Sequence, residues 1–330
     1  METGLNSGQV GRKVEVAVAG HWPPGIGSVM PDAYAPHHDY VRPARHVTHP
    51  GKIVMVCAIF LAAYFGIPLI VLTVLPGNMA DAFYAGVTPL ATMAQFAIFG
   101  AWAWVLVRAL WRFHGRGFWS LIGPYSAAWD DMRKTVLGVG MIMILTQVML
   151  PIGSYGEPAE IRSIGLWLGM LPFAIIVIMI QVSTEELLFR GYLQQQFACL
   201  SSSPWVWMVL PSLLFGLWHF WNGNSLTEGL VYVFWATLLG LACADLTART
   251  GNLGAAIGLH LANNFVAVMF IGTQGWPMSG LALILYPYQD PNLLSAEIAE
   301  VAGLWMGFSM AIAALSVLIV WLAARISLKR

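Results

Sequence analysis

The segment GLWLGMLPFAIIVIMIQVSTEELLFR, residues 165–190, is predominantly apolar through Val182, and two adjacent glutamates and an arginine stand near its end. An α-helix needs about 20 predominantly apolar residues to cross the hydrocarbon core of a bilayer. The segment therefore predicts a transmembrane helix with Glu185, Glu186 and Arg190 at its end. Because a charge inside hydrocarbon is expensive, these three residues indicate a working site.

The composition of the whole chain extends this interpretation. Hydrophobic residues make up 58% of the chain and charged residues 10%, whereas ordinary soluble domains carry about 25% charged residues. We predict an all-α polytopic membrane protein of about eight transmembrane helices around a polar intramembrane cavity. The apolar runs of spanning length lie at residues 53–75, 88–110, 135–152, 165–185, 205–221, 229–248, 252–271 and 298–323. The bilayer is the expected partner, and nothing indicates a nucleic-acid partner.

Two segments differ from these apolar runs. Residues 1–50 are rich in Pro, Gly and His without helical or strand periodicity, which predicts a disordered cytoplasmic tail before a membrane domain at residues 51–330. Residues 272–297 form a long, apolar segment that contains no Lys or Arg. The sequence leaves open whether this second segment is re-entrant or a lid.

The distribution of Lys and Arg predicts the orientation. With eight spans and a cytoplasmic amino terminus, the basic loop residues collect on the cytoplasmic side and the opposite side keeps only Arg162. We therefore expect an integral, multi-pass protein with both termini in the cytoplasm. It would lie in the cell membrane of a bacterium or in the endoplasmic reticulum membrane of a eukaryote.

Few other polar groups lie within the predicted spans. His219 and His260 are the two histidines there, and Asn264 follows His260 by one helical turn on the same face. Each has an alternative structural role. The Glu-Glu-Arg cluster also fits a cytoplasmic helix end, His219 fits an interfacial histidine, and His260 with Asn264 fits a hydrogen-bonding pair between helices.

Helix geometry distinguishes the two glutamates and brings the histidines to their depth. Glu186 and Arg190 are four residues apart, a spacing that favours an ion pair, whereas Glu185 points elsewhere and is the better candidate for a general base. A helical hairpin that turns near Ser201 would place Glu185 level with His219 to within about 3 Å. The three polar helices can therefore share one depth.

Three motifs occur in order along these helices: EExxxR at 185–190, FxxxH at 215–219 and HxxxN at 260–264. Together they resemble the type II CAAX prenyl endopeptidase family, also called CAAX proteases and bacteriocin-processing enzymes. The resemblance covers about residues 165–271, which it marks as the catalytic core. It implies an intramembrane glutamate-dependent endopeptidase that acts on a membrane-associated protein or peptide, prenylated CAAX-type proteins being one substrate class.

The same resemblance implies a role for each motif residue. Glu185 and His219 would activate water, while His260 and Asn264 would hold the oxyanion, and no cofactor is implied. The supporting residues would be Glu186, Arg190 and Phe215. These residue types suit peptide hydrolysis, which needs a base for water, a proton donor for the leaving amine and stabilisation of an oxyanion.

Other functions stay open at this point. Two histidines and two glutamates have the donor types for zinc, although the sequence contains no HExxH motif, so a zinc-dependent intramembrane metalloprotease is one alternative. Intramembrane carboxylates and histidines equally suit a proton-coupled transporter. A non-catalytic membrane scaffold or immunity protein is the third alternative, because a fold does not determine a function.

Overall fold

The computed structural model describes residues 32–149, 156–288 and 296–330, and most of them are helical. The helices are α1 Ala35–Val41, α2 Pro50–Val74, α3 Gly77–Ala85, α4 Pro89–His114, α5 Trp119–Ile122, α6 Tyr125–Met149, α7 Ile164–Glu186, α8 Gln194–Leu200, α9 Leu210–Trp218, α10 Leu226–Thr250, α11 Gly254–Met269 and α12 Ala296–Leu328. A π-helix, Leu187–Leu193, joins α7 to α8, and we call it the π segment.

Five helices among the described residues are long and apolar enough to cross a membrane. They are Pro50–Val74, Pro89–His114, Ile164–Leu200, Leu226–Thr250 and Met306–Leu328. The chain is therefore a helical, multi-pass integral membrane protein, as its composition predicts.

The predicted number of eight spans is not confirmed. Helix α9 and the π-helix before it, Trp205–Val209, together measure about 21 Å at 1.5 Å per residue, less than the hydrocarbon core of about 30 Å. Helix α11 is also short, at 16 residues. The predicted span at 135–152 ends within residues 150–155, which lie outside the described residues.

A three-stranded sheet lies where α7 begins and α11 ends. Its strands are β1 Glu160–Ile161, β2 Ile271–Thr273 and β3 Ile284–Tyr286; β3 lies in the middle, antiparallel to β1 and parallel to β2. Much of the segment from 272 that the sequence left undecided belongs to this sheet and its connection, while residues 289–295 are outside the described residues. The fold is thus helical with one small sheet at one end.

The opposite end of the bundle gathers the first described residues and the carboxyl terminus. The Arg330 Nη1 donates a hydrogen bond of 2.7 Å to the carbonyl of Arg249, in the last turn of α10. The guanidinium of Arg249 lies 5.1 Å from the ring centre of Tyr34. Residues 34 and 330 therefore lie at the same end of the bundle.

The prediction of a disordered tail is wrong for residues 32–49. Helix α1 buries His37, Tyr40 and Val41, and the hydroxyl of Tyr34 donates a hydrogen bond of 2.6 Å to Asp245. Apolar burial and hydrogen bonds to the bundle offset the ordering entropy of this segment. A seven-residue helix is too short to show a periodic pattern in the sequence, and residues 1–31 lie outside the described residues.

Acid should weaken the docking of α1, because burial lowers the pKa of His37 from 6.5 to about 3. His38 and Arg45 lower it further, and the ring lies 3.2 Å from the Gln194 amide and 4.4 Å from the Trp207 ring. Between pH 6.5 and 3 the undocked ring binds a proton that the docked ring does not, so stability falls as the pH falls. From pH 6.5 to 5 the loss should be about 2 kcal/mol.

Melting midpoints at pH 7 and pH 5 would measure this loss. The variant His37→Phe keeps an aromatic ring against Trp207 but cannot titrate, so its midpoint should fall less between the two values of pH. Equal falls in wild type and variant would show that His37 does not couple docking to pH.

Helix α11, which carries His260, packs closely against α6 through two glycines. A Cβ atom on Gly258 would lie 2.7 Å from the Met132 carbonyl oxygen and 2.9 Å from the Thr135 Cβ, and a Cβ atom on Gly254 would overlap the backbone of Ala128. Small residues are a common way for membrane helices to approach this closely. The contact fixes α11, and with it His260, against α6.

Gly258→Ala is expected to destabilise the protein by about 1–3 kcal/mol, the usual cost of overpacking, because the methyl group has to push α11 away from α6. The melting midpoint in detergent would report the change. Gly140→Ala is the matched control on α6, since a Cβ atom there would have no heavy atom within 4 Å. A midpoint for Gly258→Ala equal to that of the control would contradict close packing of the two helices.

Candidate active site

The Glu-Glu pair lies where α7 passes into the π segment. All seven residues of the π segment are buried, and π-helical turns occur frequently at functional sites. Glu186 and Arg190 form an ion pair of 3.1 Å, and both side chains are completely buried. The ion pair predicted from their spacing is therefore confirmed.

His260 joins the two glutamates. Its Nδ1 lies 2.7 Å from Glu186 Oε1, and its Nε2 lies 3.5 Å from Glu185 Oε2. Glu186 thus contacts Arg190 and His260 through the same oxygen, while Glu185 contacts the other nitrogen of the His260 ring. The first and third motifs therefore meet directly in one buried polar cluster.

Phe215 lies at the centre of this cluster. Its ring centre is 4.6 Å from that of His219 and 5.6 Å from that of His260, and the Arg190 guanidinium carbon lies 4.5 Å from it. A cation over an aromatic face is attracted by the negative face of the ring. Phe215 therefore links the second motif to the other two by packing.

His219 follows the last residue of α9. Its Nδ1 lies 2.8 Å from the carbonyl oxygen of Phe215. Because a carbonyl accepts and never donates, this contact puts the proton on Nδ1 and makes Nε2 the acceptor of the neutral ring. Its ring packs against Phe215, which also contacts the His260 ring, so His219 adjoins the same cluster.

Asn264 is held by hydrogen bonds to its neighbours. Its Nδ2 donates to Gln181 Oε1 at 2.9 Å, and its Oδ1 accepts from Asn263 Nδ2 at 3.1 Å. Gln181 lies one turn before Glu185 on α7, just as Asn264 lies one turn after His260 on α11. The facing sides of α7 and α11 are therefore joined by two polar contacts.

Sequence reasoning missed Gln181. Gln181 is the polar residue in the otherwise apolar run IIVIMIQV, residues 175–182, and it lies four residues before Glu185. A buried amide in a membrane helix needs a partner, which was the signal that would have identified it. Its partner Asn264 is identified by the structure.

A small cavity adjoins Glu185. It measures about 10 Å³, which is about the space of one water molecule. Glu185 Oε2 is buried and has no hydrogen-bond partner among the described residues. The remaining lining is mainly aromatic: Phe60, Tyr64, Phe99, Trp102, Thr184, Leu188, Phe189 and Trp218. The cavity therefore places the carboxylate residue Glu185 in a mainly aromatic compartment.

A larger cavity of about 780 Å³ lies between α6, α7 and α11. Its lining side chains are apolar, and Leu261, Ala262 and Phe265 contribute from the same helix as His260 and Asn264. Such a lining suits a hydrocarbon chain and offers no hydrogen bonds.

Histidine and carboxylate side chains are also the donor types that zinc prefers. Within the described ranges, no three His, Cys, Asp or Glu side chains are grouped so that they could hold a metal ion. Both nitrogens of His260 face carboxylates. The geometry of this cluster is that of a hydrogen-bonded ion-pair network.

Comparison with known proteins gives a family match over the same helices. Residues 167–266 match the family described as type II CAAX prenyl endopeptidase Rce1-like. The chain is 32% identical over 194 residues to the uncharacterized protein YyaK of Bacillus subtilis (strain 168). This match covers 56% of this chain and 61% of YyaK. No solved structure matches the chain. The matched range contains every residue of the cluster.

Proposed function

We propose that this chain, whose residues 167–266 form a type II CAAX prenyl endopeptidase Rce1-like domain, is a glutamate-dependent intramembrane endopeptidase. The family implies a protease. The observation that carries the finer proposal is the buried cluster in which His260 contacts both Glu185 and Glu186. Only Glu186 is also paired with an arginine, which leaves Glu185 available for proton transfer.

In the proposed reaction Glu185 takes a proton from a water molecule that lies between its carboxylate and His219. The water oxygen forms a bond to the peptide carbonyl carbon, and the carbonyl oxygen becomes an oxyanion. His219, which accepts at Nε2, orients the water. Collapse of the tetrahedral intermediate breaks the carbon–nitrogen bond, and the proton from Glu185 goes to the leaving amine.

His260 and Asn264 are proposed to stabilise the oxyanion. In its imidazolium form His260 donates through Nδ1 to Glu186, and its Nε2–H, which lies 3.5 Å from Glu185 Oε2, turns to the oxyanion once Glu185 has taken the proton. Asn264 has two amide protons, of which one is donated to Gln181 and the second can reach a ligand. Donors fixed in advance in a water-poor site are the usual means of stabilising such a charge.

The proposed substrate is a membrane-associated protein or peptide. The apolar cavity of about 780 Å³ beside α11 supports a substrate with a hydrocarbon chain, and prenylated CAAX-type proteins are the class that fits the family description. The cluster lies near the end of the bundle that holds the carboxyl terminus, since His260 is six residues, about 9 Å, from the start of α11. We propose that this end faces the cytoplasm.

The reaction is proposed to need no metal, and chelation distinguishes it from a zinc-dependent one. Activity should survive exhaustive chelation, with metal content measured on the same sample. Loss of activity that zinc alone restores would identify a metalloprotease instead.

Membrane-protein termini test the proposed function in cells. Cells with the wild-type chain should show at least one shortened membrane-protein terminus that is absent from Glu185→Gln cells. Identical termini, together with proton-gradient-driven uptake by vesicles that contain the protein, would point to a transporter. Identical termini without uptake would point to a scaffold.

A further inference from the structure

We infer that Gln181 is a positioning residue, which fixes the amide of Asn264 so that one N–H faces the reacting carbonyl. The inference rests on the proposed function, in which Asn264 is an oxyanion donor. Gln181 itself would contact neither substrate nor water. It would act through the hydrogen bond of 2.9 Å between its Oε1 and Asn264 Nδ2.

The register of the two helices supports this role. Gln181 and Glu185 are one turn apart on α7, and Asn264 and His260 are one turn apart on α11. The contact of 3.5 Å between Glu185 and His260 and the bond between Gln181 and Asn264 are thus neighbouring contacts between the same two helix faces. The position of the amide is tied to that of the proposed base.

The hydrogen bonds also fix the rotation of the amide. Gln181 Oε1 accepts from the nitrogen of Asn264, and Asn263 Nδ2 donates to its oxygen at 3.1 Å. Rotating the Asn264 amide by 180° would place its oxygen against the oxygen of Gln181. It would also place its NH2 group against the NH2 group of Asn263. The second N–H of Asn264 is therefore held in one direction.

Burial makes this restraint firm. Gln181 is 5% exposed and Asn263 is 7% exposed, and the Asn264 side chain between them is half-buried. A buried polar group without its partner pays the full desolvation penalty, which favours the bonded orientation. A loss of Gln181 would release the amide of Asn264 without removing it.

Cleavage kinetics test the inference through a double-mutant cycle. Gln181→Met keeps the length of the side chain but removes the acceptor. It should lower kcat about 10-fold to 100-fold and leave KM unchanged. The upper value is what loss of a complete oxyanion donor typically costs. In an Asn264→Ala background the same change should cause no further loss, because the amide it positions is already gone. Equal losses in both backgrounds, or a rise in KM alone, would overturn the inference.

Gln95→Met is the matched control. Gln95 also donates side-chain hydrogen bonds, to the carbonyls of Phe83 and Tyr84, but it lies outside the site. Its substitution should change the melting midpoint and leave kcat unaltered. An equal fall in kcat for Gln95→Met and Gln181→Met would show that general destabilisation causes both, which contradicts a positioning role.

A measurement independent of cleavage separates this inference from the proposed function. In protein labelled with 15N-asparagine, the side-chain amide signals of Asn264 are identified by their absence in Asn264→Ala. Gln181→Met should shift or broaden these signals, and Gln95→Met should not. Unchanged Asn264 signals in Gln181→Met would contradict the inference, whether or not the wild type cleaves a peptide.

Discussion

Glu185→Gln is expected to lower kcat for peptide cleavage by about 10²-fold to 10⁴-fold, the usual contribution of a general base. Glutamine has nearly the size of glutamate but does not take a proton from water at neutral pH. Its amide keeps a polar group beside the cavity that Phe189 and Trp218 line, so the fold should be preserved. Initial rates in detergent, with a melting curve for each sample, would measure both effects.

Glu228→Gln is the control for loss of a carboxylate. Glu228 lies at the start of α10, where its side chain accepts a hydrogen bond of 2.9 Å from the backbone of Asn224 in an exposed position. Its cleavage rate should equal that of the wild type. A folded Glu185→Gln protein that cleaves as fast as this control would contradict Glu185 as the base.

Glu186→Ala is expected to destabilise the protein by about 3–5 kcal/mol, because it leaves a buried charge without its partner. Arg190 is completely buried, with Glu186 at 3.1 Å and the Phe215 ring at 4.5 Å. The aromatic ring alone does not replace a carboxylate in this setting. The shift of the melting midpoint would report the loss, and activity would fall as His260 loses its partner.

A paired substitution checks the electrostatic cause. Glu186→Leu combined with Arg190→Met removes both charges and should recover much of the lost stability, although not the activity. The exposed pair Lys134 and Asp130, at 2.6 Å, is the control, and Lys134→Met should cost less than about 1 kcal/mol. A double variant no more stable than Glu186→Ala would show that the loss comes from packing.

Much of the site could be predicted because its determinants are local. The spacing of Glu186 and Arg190 follows from one helical turn, and the ion pair lies where that spacing puts it. His260 and Asn264 were selected because few polar groups occur within apolar runs. Such rules depend on neighbours in the sequence and on the cost of charge in hydrocarbon.

The contacts between elements could not be predicted in the same way. Helix lengths predict that Glu185 lies level with His219, whereas the structure shows a direct contact between Glu185 and His260. The sequence does not predict this contact, because the rotation of each helix depends on packing. That packing includes the Gly258 contact with α6. The docked segment 32–49 was not predicted, because its helices are too short to show a helical period of apolar residues.

Cleavage of a membrane-anchored peptide by the purified chain in liposomes tests the central claim most directly. In water enriched in ¹⁸O, the wild type should release a product whose new carboxyl group carries one ¹⁸O atom, and Glu185→Gln should release almost none. Product from Glu185→Gln at the wild-type rate would contradict glutamate-dependent hydrolysis. The absence of product from folded wild-type protein, across anchored peptides with and without a prenyl group, would contradict an endopeptidase.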